Sequence, residues 1–381
     1  MEPVVNPYEV SGHVDYERLI KEFGINPLKK KDLDRIEDVA GELHMFLRRG
    51  MFFAHRDLKW CLDEYKKGNQ FFLYTGLGPS GPIHLGHLAT WRFTKWLQDV
   101  FDVELWFQFT DDEKFLFKEK SYDEIQKWTH ENMLDIIALG FNPEKTHFLV
   151  DTKHAGLMYP EAIKVAKKIT FSTIKSAFGF TDSNNIGSIF YTAMQTVPVF
   201  LPNVLRGEKR PCLIPLGVDQ DPHFRISRDV LEKLGHYKPA IMHGKMMPPL
   251  SGFDDKMSSS SSSMDKTILT TDIPKQVKKK INKHALSGGK DTVEEHREHG
   301  GDTDKDIAFQ WLRYFEDDDK RLDDIKRKYE SGEMLSGELK AILIEKVNDF
   351  LAEHQKRREK AKDMLDQFIY DPTKDPDAKK E

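Results

Sequence analysis

Two histidines three residues apart, His84 and His87, close a turn rich in glycine and proline. An apolar run, Phe71–Tyr74, precedes the turn, and a helical pattern opens at about Leu85. The pair therefore falls at a helix N-terminus, where backbone N–H groups and the helix dipole favour anions. Gly76, Gly78 and Gly81 let the backbone approach a ligand closely. Strand, turn, helix start and imidazoles together form a cradle for nucleotide phosphates, with donors aimed where charge shifts at the α-phosphorus. The tetrapeptide alone reads equally as a pair of zinc ligands or as ordinary histidines at a helix start, although no Cys or carboxylate follows at metal spacing.

A second element stands far downstream, Lys256-Met257-Ser258-Ser259-Ser260. Serines run unbroken from Ser258 to Ser263, a composition that usually marks a flexible linker. A loop led by one lysine also suits closure over a nucleotide. The ammonium would reach the β- and γ-phosphates, with serine hydroxyls and backbone N–H groups as further donors.

These groups need a scaffold. Apolar runs alternate with helical patterns from 69 to about 270: strands are expected at Phe71–Tyr74, Val103–Phe109, His147–Val150, Cys212–Leu216 and Ala240–His243. Helices are expected between them at Leu85–Phe101, Tyr122–Leu139 and Phe224–Leu234. Such alternation predicts an α/β fold, a Rossmann-like parallel sheet covered on both faces, with ligands at the carboxyl ends of its strands. The histidine turn, Gln108–Glu113 and Gly217–Gln220 all follow strands and should meet in one crevice. Gln108, after Trp106 and Phe107, is an odd core residue unless paired. Asp111, Asp112 and Glu113 read on their own as a solvated acidic turn, and Tyr74 as a core tyrosine.

Residues 1–68 read as a polar, helix-rich extension. From 271 to 381 the pattern is helical and charged, with Leu339, Ile342, Leu343, Val347, Phe350 and Leu351 on one buried face. The end, from Asp371, is expected to fray. Basic clusters at Arg206/Lys209/Arg210, Lys275–Lys283 and Lys356–Lys362 are candidate RNA contacts or plain solvated helix faces. The 381 residues carry 32% charged residues and a net charge of −5, which describes a soluble globular chain. No apolar stretch is long enough to span a membrane, the first residues lack a signal-peptide pattern, and two cysteines make no disulfide framework. A cytoplasmic protein with no membrane and no DNA partner is expected.

Several further segments, in order, carry a resemblance: Phe46–Gly50, Phe72–Gly76, Thr94–Phe101, Gln108–Lys114, Phe178–Ser183, Leu213–Pro215, Asp219–Arg225, Asn282–Gly289 and Glu294–Arg297. With the two elements above, which look like the HIGH and KMSKS signatures, they make the chain resemble the class I aminoacyl-tRNA synthetases. The likeness is to the tryptophanyl family of archaeal/eukaryotic type, from about Tyr16 to Ile369. The resemblance implies a homodimer that joins L-tryptophan to ATP as an adenylate, releases pyrophosphate and charges tRNA(Trp). It implies ATP with Mg2+ and no structural metal, a catalytic domain over 69–270, and a C-terminal domain over 271–381 that reads the anticodon.

By position, the resemblance makes His84, His87, Lys256 and Ser258 catalytic. Gly76, Gly78, Gly86, Gly217, Asp219, Met257 and Ser260 would bind ATP, with Lys114 adding charge. Tyr74 and Gln108 would accept the indole N–H, Glu113 and Gln195 would hold the α-ammonium, and Gln220 would sit where amino acid and ATP meet. Ser259 stands where the more widespread loop pattern has a second lysine, so that charge must come from elsewhere, with Lys114 the candidate. The alternatives are a tyrosyl-tRNA synthetase, a non-catalytic RNA-binding paralogue and a small nucleotidylyltransferase.

Overall fold

The computed structural model describes residues 4–5, 10–11, 15–253 and 264–379. A short pair, β1 (Val4–Val5) and β2 (Val10–Ser11), stands apart from a seven-stranded sheet. That sheet comprises β3 (Asn26–Pro27), β4 (Phe52–Arg56), β5 (Phe72–Leu77), β6 (Leu105–Phe109), β7 (Thr146–Val150), β8 (Cys212–Gly217) and β9 (Ala240–Gly244), in the order β3-β4-β9-β8-β5-β6-β7.

Strands β5 to β9 pair in parallel, and β3 and β4 add an antiparallel edge beyond β9. Parallel neighbours need long crossovers, and the helix Leu85–Phe101 supplies the one from β5 to β6. Every residue of β6 and β9 is buried, because helices cover both faces of the sheet. This is why the strands read as continuous apolar runs rather than alternating ones. From β5 the chain moves out through β6 to β7, then returns to place β8 on the other side of β5. The order reverses there, so a crevice opens at the carboxyl ends of β5 and β8, where open α/β sheets bind ligands.

Each face of the sheet has its own core. Leu73, Phe93 and Phe107 belong to one that runs on into the C-terminal helices through Trp311, Leu343, Val347 and Leu351. Tyr74, Trp106 and Ile214 belong to the other, with Tyr191, Met194 and Phe224. Trp311 is completely buried and its Nε1 donates to Pro248 O at 2.8 Å, joining the helical part to the segment after β9.

The strand and helix expectations hold within a few residues, but two terminal ones do not. The region expected to be helix-rich holds four helices among the described residues but also gives the sheet β3 and β4. Phe52 and Phe53 lie among arginines, so β4 shows no long apolar run; its pairing with β9 defines it. The tail does not fray at Asp371. Tyr370 N donates to Phe148 O and Lys379 N to Leu205 O, at 3.0 and 2.8 Å. The buried Asp375 carboxylate accepts from Arg206 and from Tyr370 OH. Arg206 and Arg210 also bond Glu104, so most of that expected RNA cluster is an internal ion-pair network. Arg358 is likewise committed to Glu131 and Asp135. Lys275, Lys278, Lys279 and Lys283 remain exposed on the helix Pro274–His284.

Candidate active site

A cavity of about 600 Å³ occupies the crevice at the carboxyl ends of β5, β8 and β9. His84 caps the helix Leu85–Phe101 with extended backbone, φ −109° and ψ 161°. The rings of His84 and His87 stack at 3.7 Å with 18° between planes, and Trp91 lies against His87 at 5.6 Å. Both imidazoles and Gly86 line the cavity. The turn is held from behind: Leu85 N donates to Ile268 O at 3.1 Å and Thr270 N to Ile83 O at 3.0 Å. Phe253, before the serine loop, lines the cavity too. Described residues on both sides of the serine run therefore reach the histidine turn or its cavity. Lys256, Met257, Ser258 and Ser260 lie outside the described residues.

One wall is backed by a network of neutral polar side chains over a buried acid. Tyr74 OH donates to Gln108 Oε1 at 2.5 Å and accepts from Gln195 Nε2 at 2.7 Å. Tyr191 OH donates to Gln195 Oε1. Gln108 Nε2 lies 2.8 and 2.9 Å from the two oxygens of Asp151. Gln108 is fully buried and stands one layer behind Tyr74 rather than on the cavity wall. Burial, then the neighbouring Asp112 carboxylate, pushes Asp151 well above the usual carboxylate range. Desolvation raises both phenols, Tyr74 and Tyr191, so they stay protonated as donors.

The acidic stretch after β6 is not a solvated turn. Asp111 is buried and accepts from Gln126 Nε2 and Thr152 N at 2.6 and 3.1 Å. Glu113 is buried as well, accepting from Thr110 Oγ1 at 2.7 Å and Lys114 Nζ at 2.9 Å. Burial works against its charge, but the Lys114 ammonium and the Thr110 bond outweigh it and hold Glu113 below its ordinary value. Lys114 therefore arrives already paired. Nearby, burial pushes His223 down to about 4, keeping that ring neutral at physiological pH.

Glycines mark where the chain must come close. A Cβ on Gly78 would fall 1.8 Å from Lys114 Cε, and one on Gly76 3.0 Å from Gln108 O. At the end of β8, a Cβ on Gly217 would meet Asp219 Oδ1 at 2.7 Å. Asp219 Oδ2 accepts from Gln220 Nε2 at 3.0 Å, and both residues face the cavity.

Among the described site residues, the structure gathers Tyr74, Gly76, Gly78, His84, Gly86, His87, Glu113, Lys114, Gln195, Gly217, Asp219 and Gln220 on one cavity, with Gln108 behind it. Gln195 bonds Tyr74 and Gln108, while Glu113 bonds Thr110 and Lys114. Sequence reasoning missed Asp151, Lys245 and Arg313. The first two directly follow β7 and β9, so the rule that found Gln108–Glu113 would have found them. Arg313 comes from the helix Ile307–Phe315 and carries no such signal. Among the described residues, no group of three or more His, Cys, Asp or Glu could hold a metal ion, and no helix is long and apolar enough to cross a membrane.

The family model of class I tRNA synthetases (W and Y) matches residues 66–352. The tryptophan–tRNA ligase of Saccharolobus solfataricus is 49% identical over 369 residues, 96% of this chain and 95% of that protein. That of Pyrococcus furiosus is 47% identical over 369 residues, 96% and 94% of the two chains. The crystal structure of Plasmodium falciparum tryptophanyl-tRNA synthetase superposes with a TM-score of 0.89 at 43% identity, covering 96% of this chain and 100% of that one. The Encephalitozoon cuniculi enzyme bound to tryptophan gives 0.87 at 36% identity, over 96% and 99%.

Proposed function

The chain belongs to the class I tRNA synthetases of the W and Y type, and from that premise we infer that it is a tryptophan–tRNA ligase. The near full-length likeness to tryptophan enzymes sets aside the tyrosine, non-catalytic and nucleotidylyltransferase alternatives.

The observation that carries the reading is one cavity lined both by the stacked His84 and His87 and by Tyr74 and Gln195 of the Tyr74–Gln108–Gln195 network. The first suits phosphate. The second suits an aromatic ring with a single N–H donor, which needs a side-chain acceptor in an otherwise apolar slot. The tryptophan carboxylate attacks the α-phosphorus, giving tryptophanyl-adenylate and pyrophosphate, and the terminal ribose of the tRNA then takes the acyl group. Such chemistry needs little acid–base help, so positioning and charge stabilisation dominate.

In this reading His84, His87, Lys256 and Ser258 serve the phosphates. Gly76, Gly78 and Gly86 admit the nucleotide backbone, with Met257 and Ser260 on the loop side. Gly217 and Asp219 face the ribose, and Gln220 the junction with the amino acid. Tyr74, held from behind by Gln108, takes the indole N–H, and Glu113 takes the α-ammonium. Gln195 serves both parts, because its amide already touches the indole-side network. Magnesium enters with ATP, with phosphate oxygens among its ligands.

The partner is tRNA(Trp). The exposed lysines of Pro274–His284 suit its backbone, and the helices of 271–381 its anticodon. A homodimer is supported by apolar side chains left exposed on three adjoining helices: Tyr159 and Ile163, Phe171, and Ile186, which is 86% exposed. Two free buried cysteines and a tRNA substrate accord with a cytoplasmic setting. ATP–pyrophosphate exchange with each amino acid tests the function. Exchange with tryptophan is expected, and exchange with tyrosine alone would overturn the reading.

A further inference from the structure

Two cations that play no part in the reading above face the same cavity, Lys245 and Arg313. Lys245 follows the carboxyl end of β9, the same level of the sheet as Gly78 and Gly217. Arg313 reaches in from the C-terminal helices. The bonds of its guanidinium go to neutral acceptors, Gln310 Oε1 and Arg49 O, each at 2.9 Å. Lys245 Nζ rests over the Tyr16 ring, 5.4 Å from its centre. Among the described residues, neither cation forms an ion pair with a carboxylate, whereas Lys114 does. Burial lowers the basicity of Lys245, and the charge of Arg313 lowers it further.

Two mutually repelling, half-buried cations cost stability unless an anion joins them. The cavity they share is the one that holds the histidine turn. With Lys114 already neutralised by Glu113, these two are, among the described residues, the cavity-lining lysine and arginine left without a carboxylate partner.

We propose that Lys245 and Arg313 form a second phosphate grip, on the β- and γ-phosphates of ATP and on the pyrophosphate that leaves. In the step they serve, a bond forms between the tryptophan carboxylate oxygen and the α-phosphorus, and the bond from that phosphorus to the bridging oxygen breaks. The electron pair departs on the pyrophosphate, where the added negative charge meets the two cations, and no proton needs to move. The proposal rests on the tryptophan–tRNA ligase reading and extends it to residues outside both signature motifs.

The test is tryptophan-dependent ATP–pyrophosphate exchange by the full chain with Mg2+, comparing wild type with Lys245→Met and Arg313→Ala. Lys245→Met keeps the aliphatic stem over Tyr16 and removes only the charge. Each variant is expected to raise the KM for ATP and for pyrophosphate about tenfold, the scale of one charge-assisted contact, with the KM for tryptophan unchanged. Lys245→Arg and Arg313→Lys should recover most of the loss. Transfer from preformed adenylate to tRNA should not slow. Unchanged ATP and pyrophosphate dependence would overturn the proposal, as would a loss shared equally with tryptophan or one confined to transfer, which would place the cations on the RNA. Absence of tryptophan-dependent exchange in the wild type would instead remove the underlying reading. Calorimetric binding of pyrophosphate alone, wild type against variants, would still decide whether the cation pair holds it.

Discussion

Tyr74 OH and Gln108 Oε1 lie 2.5 Å apart, and the far side of the Gln108 amide is pinned by both oxygens of Asp151. With its Nε2 committed to Asp151, the amide turns Oε1 towards Tyr74, so the tyrosine meets an acceptor. An indole N–H arriving at this network finds the remaining lone pair of the Tyr74 oxygen already oriented, because its proton is committed to Gln108, and a benzene ring offers nothing to bond. Gln108→Ala should therefore lower the preference for tryptophan over phenylalanine by about tenfold to a hundredfold, measured as the ratio of kcat/KM in exchange. An unchanged ratio would remove Gln108 from the indole site.

His87 should act on the rate rather than on amino-acid affinity. Its ring lies between His84 and Trp91, held so that its orientation costs nothing during reaction. His87→Ala should slow adenylate formation by about a hundredfold while tryptophan binding changes little, the pattern of a donor used mainly in the transition state. Pre-steady-state adenylate formation alongside fluorescence titration with tryptophan separates the two, and equal losses would make His87 a binding residue. The same comparison applies to Lys256→Ala.

Stability should peak between two opposing titrations. His223 has its pKa lowered by burial to about 4, below the unfolded value, so on acidification the unfolded chain takes up a proton before the native one. Its contribution is intact above the unfolded pKa and fades as pH falls from about 6.5 towards 4, a loss of about 3 kcal/mol. Asp112 and Asp151 work the other way. Burial raises both, so the native state keeps protons that the unfolded carboxyls have released, and stability declines as pH climbs above the ordinary carboxylate value. Asp112→Asn retains an oxygen for Glu113 N and removes the second charge beside Asp151. It should raise Tm at pH 8 and flatten the alkaline limb of a Tm-against-pH curve. A limb of unchanged slope would exclude the carboxyl pair as its source.

The C-terminal residues should matter more to stability than their composition suggests. The Arg206 side chain is 4% exposed and that of Asp375 3%, so removing the carboxylate leaves the buried guanidinium with Glu104 as its one remaining carboxylate partner among the described residues. Asp375→Ala should cost about 2 kcal/mol in urea unfolding, against less than about 0.5 kcal/mol for Asp377→Ala at the exposed surface. Equal effects would show that the clasp does not persist in solution.

What the sequence made legible follows from periodicity and chain order. Continuous apolar strands and the helix at Leu85 could be read because burial on both faces leaves no alternation to confuse with a helix. The strand ends then gave most of the site, since everything at that level of a parallel sheet opens into one crevice. Strand β4 was hidden because its pairing with β9, distant in the chain, defines it. Asp375 was hidden for the same reason: in a stretch of Lys, Asp and Pro, nothing local distinguishes a solvated aspartate from one that closes on Arg206. Arg313 enters the cavity from a helix about a hundred residues beyond β8. The acidic stretch after Thr110 looked solvated because its partners, Thr152 and Gln126, belong to other elements.

Two glycines, Gly76 within β5 and Gly78 just beyond it, should respond differently to the same substitution. A methyl on Gly76 would stand 3.0 Å from the Gln108 carbonyl oxygen, which is part of the neighbouring strand and cannot move without disturbing the sheet. A methyl on Gly78 would stand 1.8 Å from Lys114 Cε, the far end of a flexible side chain that can swing away. Gly76→Ala should therefore lower Tm. Gly78→Ala should leave the sheet intact, yet free Lys114 from Glu113 and leave that buried carboxylate, whose Oε2 would lie 2.9 Å from the methyl, without its cation. The ionised form of Glu113 then loses its largest support, and with it the grip on an α-ammonium. The measurement is the tryptophan KM in exchange between pH 6 and 9. In the Gly78→Ala variant it should be raised most at the acid end, where Glu113 now takes up a proton, and converge on wild type as pH rises. A uniform offset across that range would mean that the methyl obstructs the ligand directly and that Lys114 had not been displaced.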